Sequence, residues 1–223
     1  METSIETITA VSQAEGDFSY CIYNDFSDEA VKKYFAENEQ VFNYKLVNIE
    51  EITANPSPNY RLILQLAQKE ARAQNVPLII IESDVIIKPD TIRNLTALNK
   101  KLDNPGLIGA VTIDKYGSIN FPYLYAENLP PTTQETKRSI SFCCTIISER
   151  FLTAFDFEIL DKNKDWYDIF ISRQSRKLGF KNYISTDNPV VHLPHSSRPW
   201  KLLKYSNPLK YYFIKFFKQR DRI

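Results

Sequence analysis

Glu82 and Asp84 stand one residue apart in the stretch VPLIIIESDVIIKPDTI (76–92), immediately after the apolar run Leu78–Ile81. Two carboxylates at the end of a strand this apolar repel one another and resist removal from water. A divalent cation relieves both problems: Mg²⁺ or Mn²⁺ is typically held by one or two carboxylates together with phosphate oxygens. The pair therefore reads as a site for a metal and a diphosphate. The competing role, capping the next helix, does not require them, because Pro89 and Asp90 already supply a helix start. Strand alternation predicts that both side chains point to the same side.

Three further positions carry chemistry. Both histidines of the chain fall in PVVHLPHSS, as His192 and His195. Neutral imidazole is a sound ligand for Mn²⁺, and a structural hydrogen-bonding role is the alternative for His192. Asp168, in KDWYDIFISRQSRKLGF, stands three residues after Asp165 and near the start of an expected helix. That arrangement is akin to a capping box, and it also turns an acid toward whatever the helix start faces. The three cysteines, Cys21, Cys143 and Cys144, have neither a disulfide framework nor CxxC metal spacing and read as small buried apolar residues.

Stepping out from these residues, strands are expected at 18–23, 42–49, 77–81, 106–113 and 139–148. Helices are expected at 27–38, with Ser27 as N-cap, and at 60–75, 89–102 and 166–179. The alternation predicts an α/β domain with a mostly parallel central sheet flanked by helices. Ligands in such sheets bind beyond the carboxyl ends of the strands. Here those ends carry Asn24-Asp25, Glu50-Glu51 and Glu82-Ser83-Asp84, which together would line one crevice.

On these segments the chain resembles the family 2 glycosyltransferases of the GT-A (Rossmann-like) fold, in a divergent subgroup. LIIIESDVIIKPDTI resembles the family's strand–DxD–x(4)–P segment, with Glu82 where the family usually has Asp. YCIYND and YKLVNIEE are similar to its first two strands. ERFLTAFDFEILDKNKDWYDIFISRQSRKLGF looks like its acceptor-side segment, and PVVHLPHSS its closing segment. The resemblance implies a metal-dependent inverting transferase using a nucleotide-sugar donor, with Mn²⁺ or Mg²⁺ as cofactor. It implies Asp84 and His192 as metal ligands, and Asn24, Asp25, Glu50 and Glu82 as nucleotide-binding residues. Asp168 would be the general base for an acceptor hydroxyl, with Asp165 as the fallback. The family's RN.G helix is missing from YRLILQLAQKEARAQN.

The 223 residues, 43% hydrophobic, suffice for one domain with a sizeable core. We expect a floppy or loosely packed leader (1–17), a GT-A-like domain (18–200) and a basic aromatic tail (201–223). The N-terminal stretch lacks the basic start and apolar core of a secretory signal. No apolar run reaches the ~20 residues of a spanning helix, so a cytoplasmic protein is expected. From Pro199 onward there are seven Lys/Arg and one Asp, leaving 21 basic and 26 acidic side chains before it. The tail suits either an anionic membrane surface, beside a saccharide or lipid-linked acceptor, or packing onto the domain. The acidic body and the absence of a recognition motif speak against nucleic acid. The aromatic stretch FPYLYAENLPPTTQETKR reads as an acceptor loop or a surface strand. Two rival readings are a nucleotidyltransferase, for which YNDFSDEAVKK offers no basic phosphate loop, and a non-catalytic GT-A-like module binding through its tail.

Overall fold

A computed structural model describes residues 2–164, 166–193 and 207–217. Elements follow in chain order: α1 (Glu2–Ser12), β1 (Tyr20–Asn24), α2 (Glu29–Asn38), β2 (Tyr44–Asn48), α3 (Tyr60–Gln74), β3 (Leu78–Ile81), β4 (Val85–Ile86), α4 (Thr91–Lys101) and β5 (Pro105–Ile113). Then come β6 (Thr133–Glu135), β7 (Cys144–Ile147), α5 (Glu149–Ala154), α6 (Tyr167–Lys177), β8 (Lys181–His192) and α7 (Pro208–Phe217). The result is the expected mixed α/β domain.

The central sheet runs β3-β7-β5-β8-β4, with β6 also on β8, and β1 and β2 form a separate parallel pair. The principal strands β3, β5 and β8 share one direction, with β7 inserted antiparallel between β3 and β5. The short strands β4 and β6 run antiparallel along β8. Strand β5 is buried along Pro105–Thr112, as a near-continuous apolar strand covered on both faces should be. Gly106 in that strand permits close approach of α6, since a Cβ there would meet Ser175 Oγ at 2.0 Å. This contact seats α6, and with it Asp168.

Helix α3 is tied to the segment leading into α6 by two buried glutamines. Gln68 donates to the carbonyls of Leu152 and Phe155 (3.0 and 2.6 Å) and accepts from the Phe157 amide at 2.7 Å. Gln65 donates to the Phe157 carbonyl at 3.1 Å. Each satisfies backbone groups that would otherwise be buried without partners.

Several expectations need correction. The N-terminal stretch is not floppy: α1 buries Ile8 and Val11 (4% and 2% exposed), and Val11 packs in one cluster with Val85, Ile87 and Ile92. Its apolar residues recur at helical spacing, which its acidity obscured. Helix α2 is capped by Asp28, which accepts from the Val31 amide, rather than by Ser27. The 139–148 stretch supplies only a four-residue strand. Strand β4, too short for a periodic signal, is not among the expected strands, whereas β6 falls within the aromatic stretch 121–138 that reads as a loop or a surface strand. Most of the tail, with His195, lies outside the described residues, as does Asp165.

Candidate active site

Strand β3 ends at Ile81, and Glu82 to Asp84 form a turn closed by the Val85 amide donating to the Glu82 carbonyl at 3.1 Å. The two acids are thus held by a turn and not by strand alternation, and both still line the same cleft. Two pairings then bring distant segments to this turn. The ladder between β3 and β7 continues past its last pair, Ile81↔Cys144, through the Glu82 amide donating to the Cys143 carbonyl at 3.0 Å. On the other side β4 pairs with the end of β8, Val85↔His192, and the Leu193 amide donates to the Asp84 carbonyl at 2.8 Å.

The imidazole of His192, 8% exposed, faces this turn. Its Nε2 lies 3.5 Å from Asp84 Oδ2. Its Nδ1 lies 2.9 Å from the Phe121 carbonyl, which can only accept, so Nδ1 carries hydrogen and Nε2 is the atom presented to the acids. The Asn120 side-chain amide donates to the His192 carbonyl at 3.1 Å. Burial pulls the imidazole pKa down, but the hydrogen bond and charge of Asp84 outweigh it and leave it raised. One donor atom each from Glu82, Cys143 and His192 lie within 4.8 Å of one another. This mixed carboxylate, thiol and imidazole set suits a divalent ion. Glu82, assigned to the nucleotide side by sequence, stands inside this set. Asp84 contacts it through His192.

Asp168 occupies the first turn of α6, where its Oδ1 accepts from the Ile169 amide at 2.7 Å. It borders the same cleft as Glu82, Asp84 and His192. Tyr60, at the start of α3, lines the same cleft, and its hydroxyl has no hydrogen-bond partner among the described residues. Burial, then the charges of Glu82 and Asp168, push its pKa well above the ordinary phenol value. It remains a neutral hydroxyl, able to donate, at any ordinary pH.

The nucleotide-side residues differ. Asn24, 2% exposed, donates through Nδ2 to Asn48 Oδ1 at 3.0 Å. Its own Oδ1 has no partner among the described residues, and it lines the cleft. Asp25 also lines the cleft, but its carboxylate accepts from Ser57 Oγ, the Asn59 amide and Asn59 Nδ2 at 2.7–2.8 Å. It anchors the loop ahead of α3. Glu50 is paired with Lys32 at 2.6 Å and is not part of the cleft wall.

Sequence reading missed Tyr60, Asn120 and Cys143. Tyr60 had only its place at a helix start to mark it, and Asn120 sits in a loop. Cys143 carries no ligand spacing, since its partners come from β8 and the turn after β3.

No protein-family model and no curated protein sequence matches the chain. Solved structures do. One is "GalNAc-T7 with UDP, GalNAc and Mn2+" (TM-score 0.64, 13% identity, covering 87% of this chain and 42% of that one). Another is the mannosyltransferase PcManGT from Pyrobaculum calidifontis "in complex with GDP-Man and Mn2+" (0.57, 11%, 96% and 60%). A third is a mycobacterial protein (0.56, 12%, 89% and 70%). The chain spans about two-fifths and three-fifths of the first two. At such identities the likeness concerns architecture: this chain has the GT-A glycosyltransferase fold.

Proposed function

We propose that the chain is a metal-dependent glycosyltransferase of the family 2 kind, moving a sugar from a nucleotide-sugar donor to a saccharide or lipid-linked acceptor in surface polysaccharide assembly. The observation that carries this reading is the convergence of Glu82, Asp84 and His192 at one wall of a cleft bordered also by Asp168. The cleft measures about 2830 Å³, against roughly 300–1,000 Å³ for a single small-molecule pocket, leaving room for donor and acceptor together.

A divalent ion, Mn²⁺ or Mg²⁺, held by the Glu82–Asp84–His192 wall would neutralise the diphosphate of the donor as it leaves. The nucleoside lies toward β1, where Asn24 Oδ1 accepts a hydrogen bond from a base N–H. Asp25 shapes the wall through the 55–59 loop. Glu50, already held by Lys32, is not assigned a donor contact. Asp168 takes the proton of the acceptor hydroxyl as its oxygen attacks the anomeric carbon from the side opposite the diphosphate, so the configuration inverts.

The test is thermal unfolding with UDP or GDP, each with and without Mn²⁺. A nucleoside diphosphate should raise the melting temperature only with Mn²⁺, and Asp84→Ala should abolish the shift. An unchanged shift in that variant would remove Asp84 from the site.

One observation favours a second role. Helix α7 exposes Leu209, Tyr212 and Phe213 (86%, 58% and 62%) beside Lys210 while burying Tyr211. No helix among the described residues is long and apolar enough to cross a membrane. An exposed apolar and basic helix suits peripheral contact with an anionic bilayer, which would bring a lipid-linked acceptor to the cleft. A non-catalytic module would use the same surface. Retained vesicle binding without donor hydrolysis would favour that alternative.

A further inference from the structure

We propose that Cys143 is a further metal ligand: its thiolate joins the Glu82 carboxylate and the His192 imidazole of the wall described above, beside Asp84, and the set favours Zn²⁺ or Co²⁺ over Mg²⁺. The inference rests on the metal-dependent reading above and concerns which atoms hold the ion and which ion they prefer.

Three independent features place the thiol. The donor atoms of Glu82, Cys143 and His192 come within 4.8 Å of one another, close enough for one ion to bridge them after small side-chain rotations. The backbone fixes the approach, because the Glu82 amide is bonded to the Cys143 carbonyl at the end of the β3–β7 ladder. The imidazole is already oriented, with Nδ1 committed to the Phe121 carbonyl at 2.9 Å. Metal-bound histidines are held in this way, with the second nitrogen donating to a carbonyl or carboxylate.

The thiol is 3% exposed and sits beside Glu82, with the Ser141 hydroxyl 3.4 Å away. A buried, neutral thiol beside a carboxylate gains little there, since S–H is a weak donor. On metal binding the S–H proton is released to solvent and the thiolate supplies an electron pair to the ion, as thiolate sites require. Thiolate and imidazole ligands favour Zn²⁺ and Co²⁺, whereas Mg²⁺ demands oxygen ligands and retains its waters. Catalytic zinc sites keep or gain a position for a substrate oxygen, sometimes by expanding to five-coordinate, so a phosphate oxygen can join these ligands. Cys144 and Cys21 are not within the set.

The experiment is a Co²⁺ titration of the metal-stripped full chain, followed by absorption. Wild type should show visible d–d bands together with a thiolate-to-cobalt charge-transfer band in the near ultraviolet. Cys143→Ser should lose the near-ultraviolet band and bind Co²⁺ about tenfold or more weakly, while Cys21→Ser and Cys144→Ser keep it. Zn²⁺ should displace Co²⁺ at stoichiometric amounts, and a large excess of Mg²⁺ should not. Visible bands without the charge-transfer band in wild type would overturn the proposal yet leave a carboxylate–imidazole metal site standing. An absence of any cobalt bands would overturn both. If Cys143→Ser fails to fold, retention of the band in both Cys21→Ser and Cys144→Ser assigns it to Cys143, and its loss in either overturns the proposal.

Discussion

The two ends of the cleft are both built from acids and amides at strand ends, and they are chemically unlike. At the β1–β2 end the carboxylates are occupied by the chain itself: Asp25 takes three hydrogen bonds from the 55–59 loop and Glu50 is clamped by Lys32. At the β3 end Glu82 and Asp84 stand beside a buried imidazole and a buried thiol, drawn from the turn after β3, from the residue ahead of β7 and from β8. An acid whose oxygens are saturated by its own chain stabilises a loop. An acid set against a buried imidazole or thiol is placed where a cation would be favoured. The contrast separates the acids proposed to hold an ion from those that hold the 55–59 loop and α2.

The strongest challenge to this contrast is Asp168→Asn. Loss of a general base typically costs about 10²–10⁴-fold in rate, so transfer should fall by that factor in a donor–acceptor assay. Metal and nucleoside diphosphate binding, measured by calorimetry, should persist. Full transfer activity would exclude Asp168 as the base. Next in size, His192→Ala should weaken Mn²⁺ binding by about 100-fold in calorimetry while the chain stays folded. Unaltered affinity would place the ion elsewhere.

At the opposite end, Asp25→Ala should lower folding stability by about 1–3 kcal/mol, because it strands partly buried donors in the 55–59 loop. Urea unfolding would register this, with Mn²⁺ affinity untouched. If instead Asp25→Ala removes metal binding and spares stability, the division between the two ends is wrong. Glu50→Gln is the mildest change. It breaks an ion pair of the surface kind, which contributes little, and should alter neither melting temperature nor UDP and GDP affinity. A drop in nucleotide affinity would return Glu50 to the donor site.

Much of this was legible in the chain. The run Leu78–Ile81 followed by Glu82 and Asp84 pointed to the cleft, because charges at the end of an apolar strand are costly to bury, and both line it. The helix beginning near Asp168 and ending at Gly179 was visible from its spacing and its C-terminal glycine, which adopts φ +84°. What escaped were features without a local signature. A two-residue strand such as β4 has no period to read, yet its pairing with β8 delivers His192 to Asp84. In sequence Glu50 is equivalent to Glu82, and only the fold brings Lys32, on α2, onto it.

Sequence alone determined the alternation of strands and helices and the placing of acids where strands end, since both follow from periodicity and the cost of burying charge along the chain. Tertiary structure decided which of those strand-end residues meet at one wall. That depends on partners 24 to 110 positions away, such as Asn48 beside Asn24 and His192 beside Glu82, and a one-dimensional pattern carries no record of which side chains share a wall.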